Sequence, residues 1–138
     1  MSSIPDEHHI TRYCRPKYLS SQGDITAAAF LLRREKGEQN LSVNYLEFFN
    51  CPNREIAINR VKETIDLKLQ PGSKFAVMNV GNVKKRVSEE TTDKRKLKIV
   101  HTPSLNDLSH SQISNLEPDN ELIAELIVQT VIEVYSAK

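Results

Sequence analysis

Apolar residues in this chain come in short runs that are cut off before a long helix can form. That restricts the fold more than any other feature. KFAVMNV (74–80) is followed by Gly81, and HHITRYC (8–14) is stopped by Arg15-Pro16. KLKIVH (96–101) alternates, so that Leu97, Ile99 and His101 share a face. Runs of this length bounded by Gly or Pro read as strands. TAAAFLLRR (26–34) and LSVNYLEFF (41–49) flank the polar stretch REKGEQN with its central glycine, the pattern of a β-hairpin. In LSVNYLEFF, alternation puts Leu41, Val43 and Tyr45 on one face and Ser42, Asn44 and Leu46 on the other.

Two stretches carry helical spacing instead. In EPDNELIAELIVQTVIEVYSAK, Leu122, Ile123, Leu126, Ile127, Val131 and Val134 recur at the helical period. Pro118 suits a first turn, and acidic residues cluster where the helix dipole favours them. The spacing predicts a helix over 118–134, packed through Leu122, Ile123, Leu126 and Ile127. In CPNREIAINRVKETID, Pro52 sits at a start and Ala57, Ile58, Val61 and Ile65 form an apolar stripe, with QPGS (70–73) closing the segment after it. Strands gathered early, one helix between sheet elements and one at the end, give an α+β fold. The expectation is a single domain over 1–138, a mostly antiparallel sheet with the two main helices packed on one face, and residues 1–7 flexible.

A chain of 138 residues can bury one core, and its 38% hydrophobic and 27% charged residues are those of a soluble globular protein. No apolar run approaches the roughly 20 residues that span a bilayer, and MSSIPDEHHI lacks the regions of a signal peptide. The cytoplasm is the expected compartment, with Cys14 and Cys51 as free thiols. A net charge of +1 argues against nonspecific nucleic-acid binding. The charge is uneven, however. Residues 84–98 hold Lys84, Lys85, Arg86, Lys94, Arg95, Lys96 and Lys98 against Glu89, Glu90 and Asp93. This segment begins as a basic turn, GNVKKR, and offers a place for nucleic acid, a phosphate ligand or an acidic partner.

Chemistry concentrates in two places. The four histidines, His8, His9, His101 and His110, fall in two clusters, one entering the first strand and one around the end of the last strand. If the first strand lies beside the 96–101 strand, His9 and His101 meet at one sheet edge, and all four imidazoles gather there. Imidazole titrates near neutrality and serves as general acid, base or metal ligand. The stretch HTPSLNDLSHSQISNL (101–116) adds Asp107 and Ser109 and is long for a connection, a length often associated with function. His101, Asp107 and His110 have the chemistry of metal ligands, but their spacing matches no zinc signature and no metal is assigned. Asp107 can orient His110 as a base or cap a turn. Asn44 and Glu47, set among apolar neighbours, need buried partners, and Arg12 or Arg15 from the first strand would supply them. The candidate catalytic set is thus His9, His101, Asp107 and His110, and the candidate binding set Arg12, Arg15, Lys84, Lys85 and Arg86.

His9-Ile10-Thr11 resembles one half of the paired His-x-Thr motif of two-histidine phosphoesterases, in which one histidine is base and the other acid. The second copy is absent: proline stands third in His101-Thr102-Pro103 and glutamine in His110-Ser111-Gln112. Arg12, Ser42 and Glu47 are similar in type to the NAD-holding set of ADP-ribosyltransferase-like folds, but no glycine-rich nicotinamide loop accompanies them. Phosphate loops, nucleophile elbows and CxxC pairs are missing too. The sequence therefore names no cofactor and no oligomeric state. It favours a small interaction or regulatory protein with a macromolecular partner, another protein first. A small hydrolase of phosphodiesters or nucleotides, built on the His/Arg/Asp set, is the alternative.

Overall fold

The computed structural model describes residues 2–138. Seven strands form one sheet: β1 (Ser2–Ser3), β2 (His9–Cys14), β3 (Leu41–Tyr45), β4 (Lys74–Asn79), β5 (Lys98–His101), β6 (His110–Ser114) and β7 (Val131–Ser136). Their order is β1-β5-β6-β3-β2-β4-β7, and every neighbouring pair is antiparallel. Three helices accompany them, α1 (Arg54–Thr64), α2 (Val80–Glu90) and α3 (Glu121–Val128). The fold is α+β in a single domain.

Each helix begins on an asparagine whose side chain accepts a backbone N–H of the first turn: Asn53 from Ile56 at 2.9 Å, Asn79 from Asn82 at 2.9 Å and Asn120 from Ile123 at 3.0 Å. That satisfies a donor the helix itself leaves open. Pro52 and Pro118 lie just ahead of the caps rather than inside the first turns.

Alternation along the strands divides the core in two. Ile10, Leu41, Val43, Met78, Ile99 and Ile113 face α2 and α3, packing on Val80, Val83, Val87, Ile123, Leu126 and Ile127. Phe75 and Val77 face the other way, where α1 lays down Ala57, Ile58 and Val61. The two helices expected on one face are thus separated by the sheet, and α2 joins α3. The expected alternation of LSVNY holds: Leu41 and Val43 are in the larger core with Tyr45 packed against it, while Ser42 and Asn44 face away.

Six local readings are corrected. α3 stops at Val128, and Val131–Ser136 form β7, because this β-branched and aromatic run fits a pleated edge better than a helix. Leu122 is 54% exposed, so the helix packs through Ile123, Leu126 and Ile127 without it. GNVKKR is the start of α2, not a turn; Gly81 fits closely there, since a Cβ would lie 3.0 Å from the Asp6 backbone oxygen and crowd it. No hairpin joins 26–34 to 41–49, since Ala27–Phe30 and Leu46–Phe49 are single 3-10 turns. The long 101–116 connection contains β6, and residues 2–7 are tied in. Ile4 is buried, and its N–H donates to the Ile99 carbonyl at 3.0 Å.

Leu126→Asp should abolish cooperative folding, because it buries a carboxylate without a partner. Leu122→Asp should leave the unfolding free energy from urea titration within about 0.5 kcal/mol of wild type, as for an ordinary surface change. Equal midpoints for the two variants would contradict this packing.

Candidate functional site

The seam between β2 and β3 holds only two residue pairs, Ile10↔Tyr45 and Thr11↔Asn44. Beyond it the strands part. β2 stays with β4 as far as Cys14↔Lys74, while β3 stays with β6 as far as Leu41↔Ile113. A cleft of about 540 Å³ opens where they diverge, lined on the sheet side by Arg12, Arg15, Ser42, Asn44 and His110. Tyr18, Arg33 and Lys36 close it on one side, and Asp66, Ser104 and Asp107 contribute from loops.

Arg12 spans the gap. Its Nη1 donates to the Ser42 carbonyl at 2.7 Å and its Nε to the Ala29 carbonyl at 2.8 Å. Burial lowers its pKa, with smaller and mostly opposing effects from Cys14, Glu38 and Tyr18. It nevertheless stays charged at any ordinary pH. Among the described residues no carboxylate forms an ion pair with it. The nearby Glu38 instead accepts the Arg33 N–H at 2.9 Å. A half-buried cation held only by carbonyls has electrostatic demand left over. Arg33 lies 4.5 Å over the Tyr18 ring and donates to the Leu31 and Ala28 carbonyls at 3.0 and 2.9 Å. Arg15 is exposed at the cleft wall and makes no side-chain hydrogen bond or ion pair among the described residues.

On the opposite wall, Asn44 Nδ2 donates to Asp107 Oδ1 and to Ser109 Oγ, both at 2.8 Å. Asp107 therefore anchors the 102–109 turn to β3 through its side chain instead of capping the turn. Burial pushes its carboxyl pKa up, against the lowering effect of His110 and of the Asn44 hydrogen bond. His110 places Nδ1 3.0 Å from the Thr102 carbonyl and 2.9 Å from its hydroxyl, and Nε2 3.2 Å from Ser42 Oγ. Arg12, Arg15, Asp107 and His110 thus meet in one place.

The other candidates do not join them. β2 lies between β3 and β4, so β3 and β6 separate it from β5. Three strand spacings are ~14 Å, and the expected His9–His101 pairing is absent. His9 turns to Glu47, with Nδ1 to Oε2 and backbone N–H to Oε1 both at 2.7 Å. Glu47 therefore takes a histidine, not Arg12 or Arg15, because its turn sits at the start of β2. It is His8 that approaches His101, with Tyr45 between them: the His8 and Tyr45 rings are 5.6 Å apart, as are those of Tyr45 and His101. His101 and His110 point to opposite faces, since His101 pairs with Ser111 and His110 with Asn44. The four imidazoles therefore do not share an edge. Lys84, Lys85 and Arg86 lie on α2, away from the cleft. Lys84 bonds Asp6 at 2.6 Å, and Arg86 bonds Gln129 at 3.1 Å and Glu90 at 3.4 Å. Among the described residues no three His, Cys, Asp or Glu side chains are arranged to hold a metal ion. Burial pushes the Cys14 thiol up to about 11, which makes it unreactive at neutral pH.

No protein-family model, curated protein or solved structure matches the chain. What the cleft can do follows from its chemistry alone. It presents guanidinium groups suited to an oxyanion, and beside them a hydroxyl in contact with an imidazole. Arg33 and Lys36 were not evident from the sequence, and Ser42 was singled out there only for its likeness to an NAD-holding set. Ser42 lay in a strand with no motif around it, and Arg33 and Lys36 lay in what read as a hairpin.

Asp107 also makes stability depend on pH. A raised folded-state pKa means the native state holds the proton more tightly than the unfolded chain. Its contribution is fully present below the ordinary carboxylate range and is lost as pH rises through the raised value. Asp107→Asn keeps an oxygen for Asn44 and has nothing to ionise. Its melting temperature should exceed that of wild type at neutral pH, with the gap narrowing in acid. A gap that widens in acid would contradict the buried carboxyl.

Proposed function

We propose that this protein is a small binding domain that takes a phosphate-bearing ligand, of nucleotide or phosphodiester type, into the cleft between β2 and β3. The observation that carries this reading is Arg12, a half-buried guanidinium at the cleft with two carbonyl partners and, among the described residues, no ion-paired carboxylate. A phosphate oxygen supplies the missing charge, and Arg15 on the wall offers a second planar fork for it. Tyr18, held under Arg33, provides a ring edge for the rest of the ligand. Asp66 and Glu38 on the rim would disfavour a polyanion lying along the whole cleft, which favours one or two phosphates over a long nucleic acid. No helix among the described residues is long and apolar enough to cross a membrane. The two free thiols suit a reducing, cytoplasmic setting.

Isothermal titration with adenosine monophosphate and with inorganic phosphate tests the reading. Arg15→Ala should weaken the affinity by roughly ten- to a hundredfold, since a hydrogen bond to a charged group contributes about 1.5–3 kcal/mol. Raising the salt should weaken it further. Binding that is undetectable in wild type, or unchanged in Arg15→Ala, would remove this function.

A further inference from the structure

We propose that Ser42 and His110 form a nucleophile–base pair that makes the cleft a phosphate-ester hydrolase site. The proposal rests on the phosphate-binding reading above and adds a reaction to it.

The two residues are diagonal neighbours on one face of adjacent strands, Ser42 opposite Gln112 and His110 opposite Asn44. The decisive feature is the proton on the imidazole. Nδ1 is 3.0 Å from the Thr102 carbonyl, which can only accept, and 2.9 Å from the Thr102 hydroxyl, which can do either, so a hydrogen on Nδ1 satisfies both and is the tautomer we assign. That leaves the lone pair on Nε2, 3.2 Å from Ser42 Oγ, in position to receive the hydroxyl proton. The tautomer is held by the β5–β6 hairpin itself, because the Thr102 N–H donates back to the His110 carbonyl at 2.9 Å. A nucleophile, a base within hydrogen-bond reach and a group that orients the base are the three parts an activated serine requires. Asp107, fixed by Asn44, lies close enough to His110 to stabilise the imidazolium that forms. Arg12 holds the carbonyl of Ser42 itself, so the residue that attracts the phosphate also sets the backbone carrying the hydroxyl. Arg12 is in this sense a positioning residue for Ser42.

The reaction runs in two halves. Ser42 Oγ bonds to phosphorus while its proton passes to Nε2 of His110, and the bond from phosphorus to the ester oxygen breaks. The departing alcohol takes a proton from water in the cleft, and His110 releases its proton to solvent. Water then attacks the phosphoserine, giving one proton to Nε2, and the Oγ–P bond breaks as that proton returns to Oγ. The sum is ester plus water to alcohol plus phosphate. Arginines beside the phosphorus stabilise charge on its oxygens in both halves.

The test uses three probes on the full chain: an alkyl fluorophosphonate, 4-nitrophenyl phosphate and bis(4-nitrophenyl) phosphate. Oγ displaces fluoride from the first, so intact mass and peptide mapping should place one adduct on Ser42. Ser42→Ala should abolish the adduct, and His110→Asn should slow its formation at least a hundredfold, with the fold of both variants checked by thermal melting. Labelling of the wild type should fall as acid protonates imidazole, a response that a merely structural hydrogen bond would not give. Nitrophenol release from one aryl ester and not the other assigns a monoester or a diester substrate; release from neither overturns hydrolysis. If phosphate and adenosine monophosphate bind but Ser42 is labelled no faster than in unfolded protein, the pair is inert and the binding function stands. If nothing binds and nothing is labelled, both readings fall.

Discussion

The two halves of this sheet meet at a short seam whose open end is clamped by one guanidinium. The order β1-β5-β6-β3 continues into β2-β4-β7 through only two residue pairs. A seam that short leaves ladder groups on both strands without partners, and buried backbone groups must be satisfied. Arg12 answers this by donating across the gap to the Ser42 carbonyl and upward to Ala29 in the 3-10 turn that closes the larger core. The same act that joins the halves keeps them apart, because an arginine is longer than a backbone hydrogen bond. A cleft in the middle of a sheet is the outcome.

The site lies where a layer is missing. α1 covers the far face only over β2, β4 and β7, through contacts with Phe75, Val77 and Tyr13. The corresponding face of β3 and β6 carries Ser42, Asn44, His110 and Gln112, which no apolar helix could cover without stranding polar groups. Asn44 and Asp107 are buried there only because they satisfy one another. The near face, by contrast, is closed by α2 and α3 over a mostly apolar surface. Rigid support on one side and open polar side chains on the other suit a ligand site held to fixed geometry.

Much of the fold was legible because it is local. Strand alternation in LSVNY, the α1 stripe and the α3 core positions follow from side-chain periods alone. α2 was hidden by its own charges: Val80, Val83 and Val87 form a helical stripe, but Lys84, Lys85 and Arg86 between them read as a basic turn. β7 was hidden by coincidence, since Val131 and Val134 also fit the helical spacing of the preceding stripe. The pairing of distant strands has no local signature, so β5 was set beside β2 when two strands lie between them. The site suffered the same loss. Arg12, Arg15, Asp107 and His110 were recognisable by residue type, but their meeting depends on β3 being paired with both β2 and β6.

The same geometry explains why the first long strand is so polar. Each of its hydrophilic side chains forms a bridge at the seam or beside it. His9 grips Glu47 at one end, and Arg12 reaches Ser42 at the other, so the two pairs between them are clamped on both sides. Thr11 donates to the Ala76 carbonyl at 2.9 Å on the β4 side, and the Tyr13 hydroxyl accepts the Gln70 N–H at 2.8 Å. The apolar members, Ile10 and Cys14, point into the larger core. A strand whose ladder to one neighbour covers two pairs must hold that neighbour by side chains, and side chains that do so are polar. The reactive-looking composition of HITRYC is therefore first a consequence of the short seam, and only Arg12, where the seam opens, has charge left for a ligand.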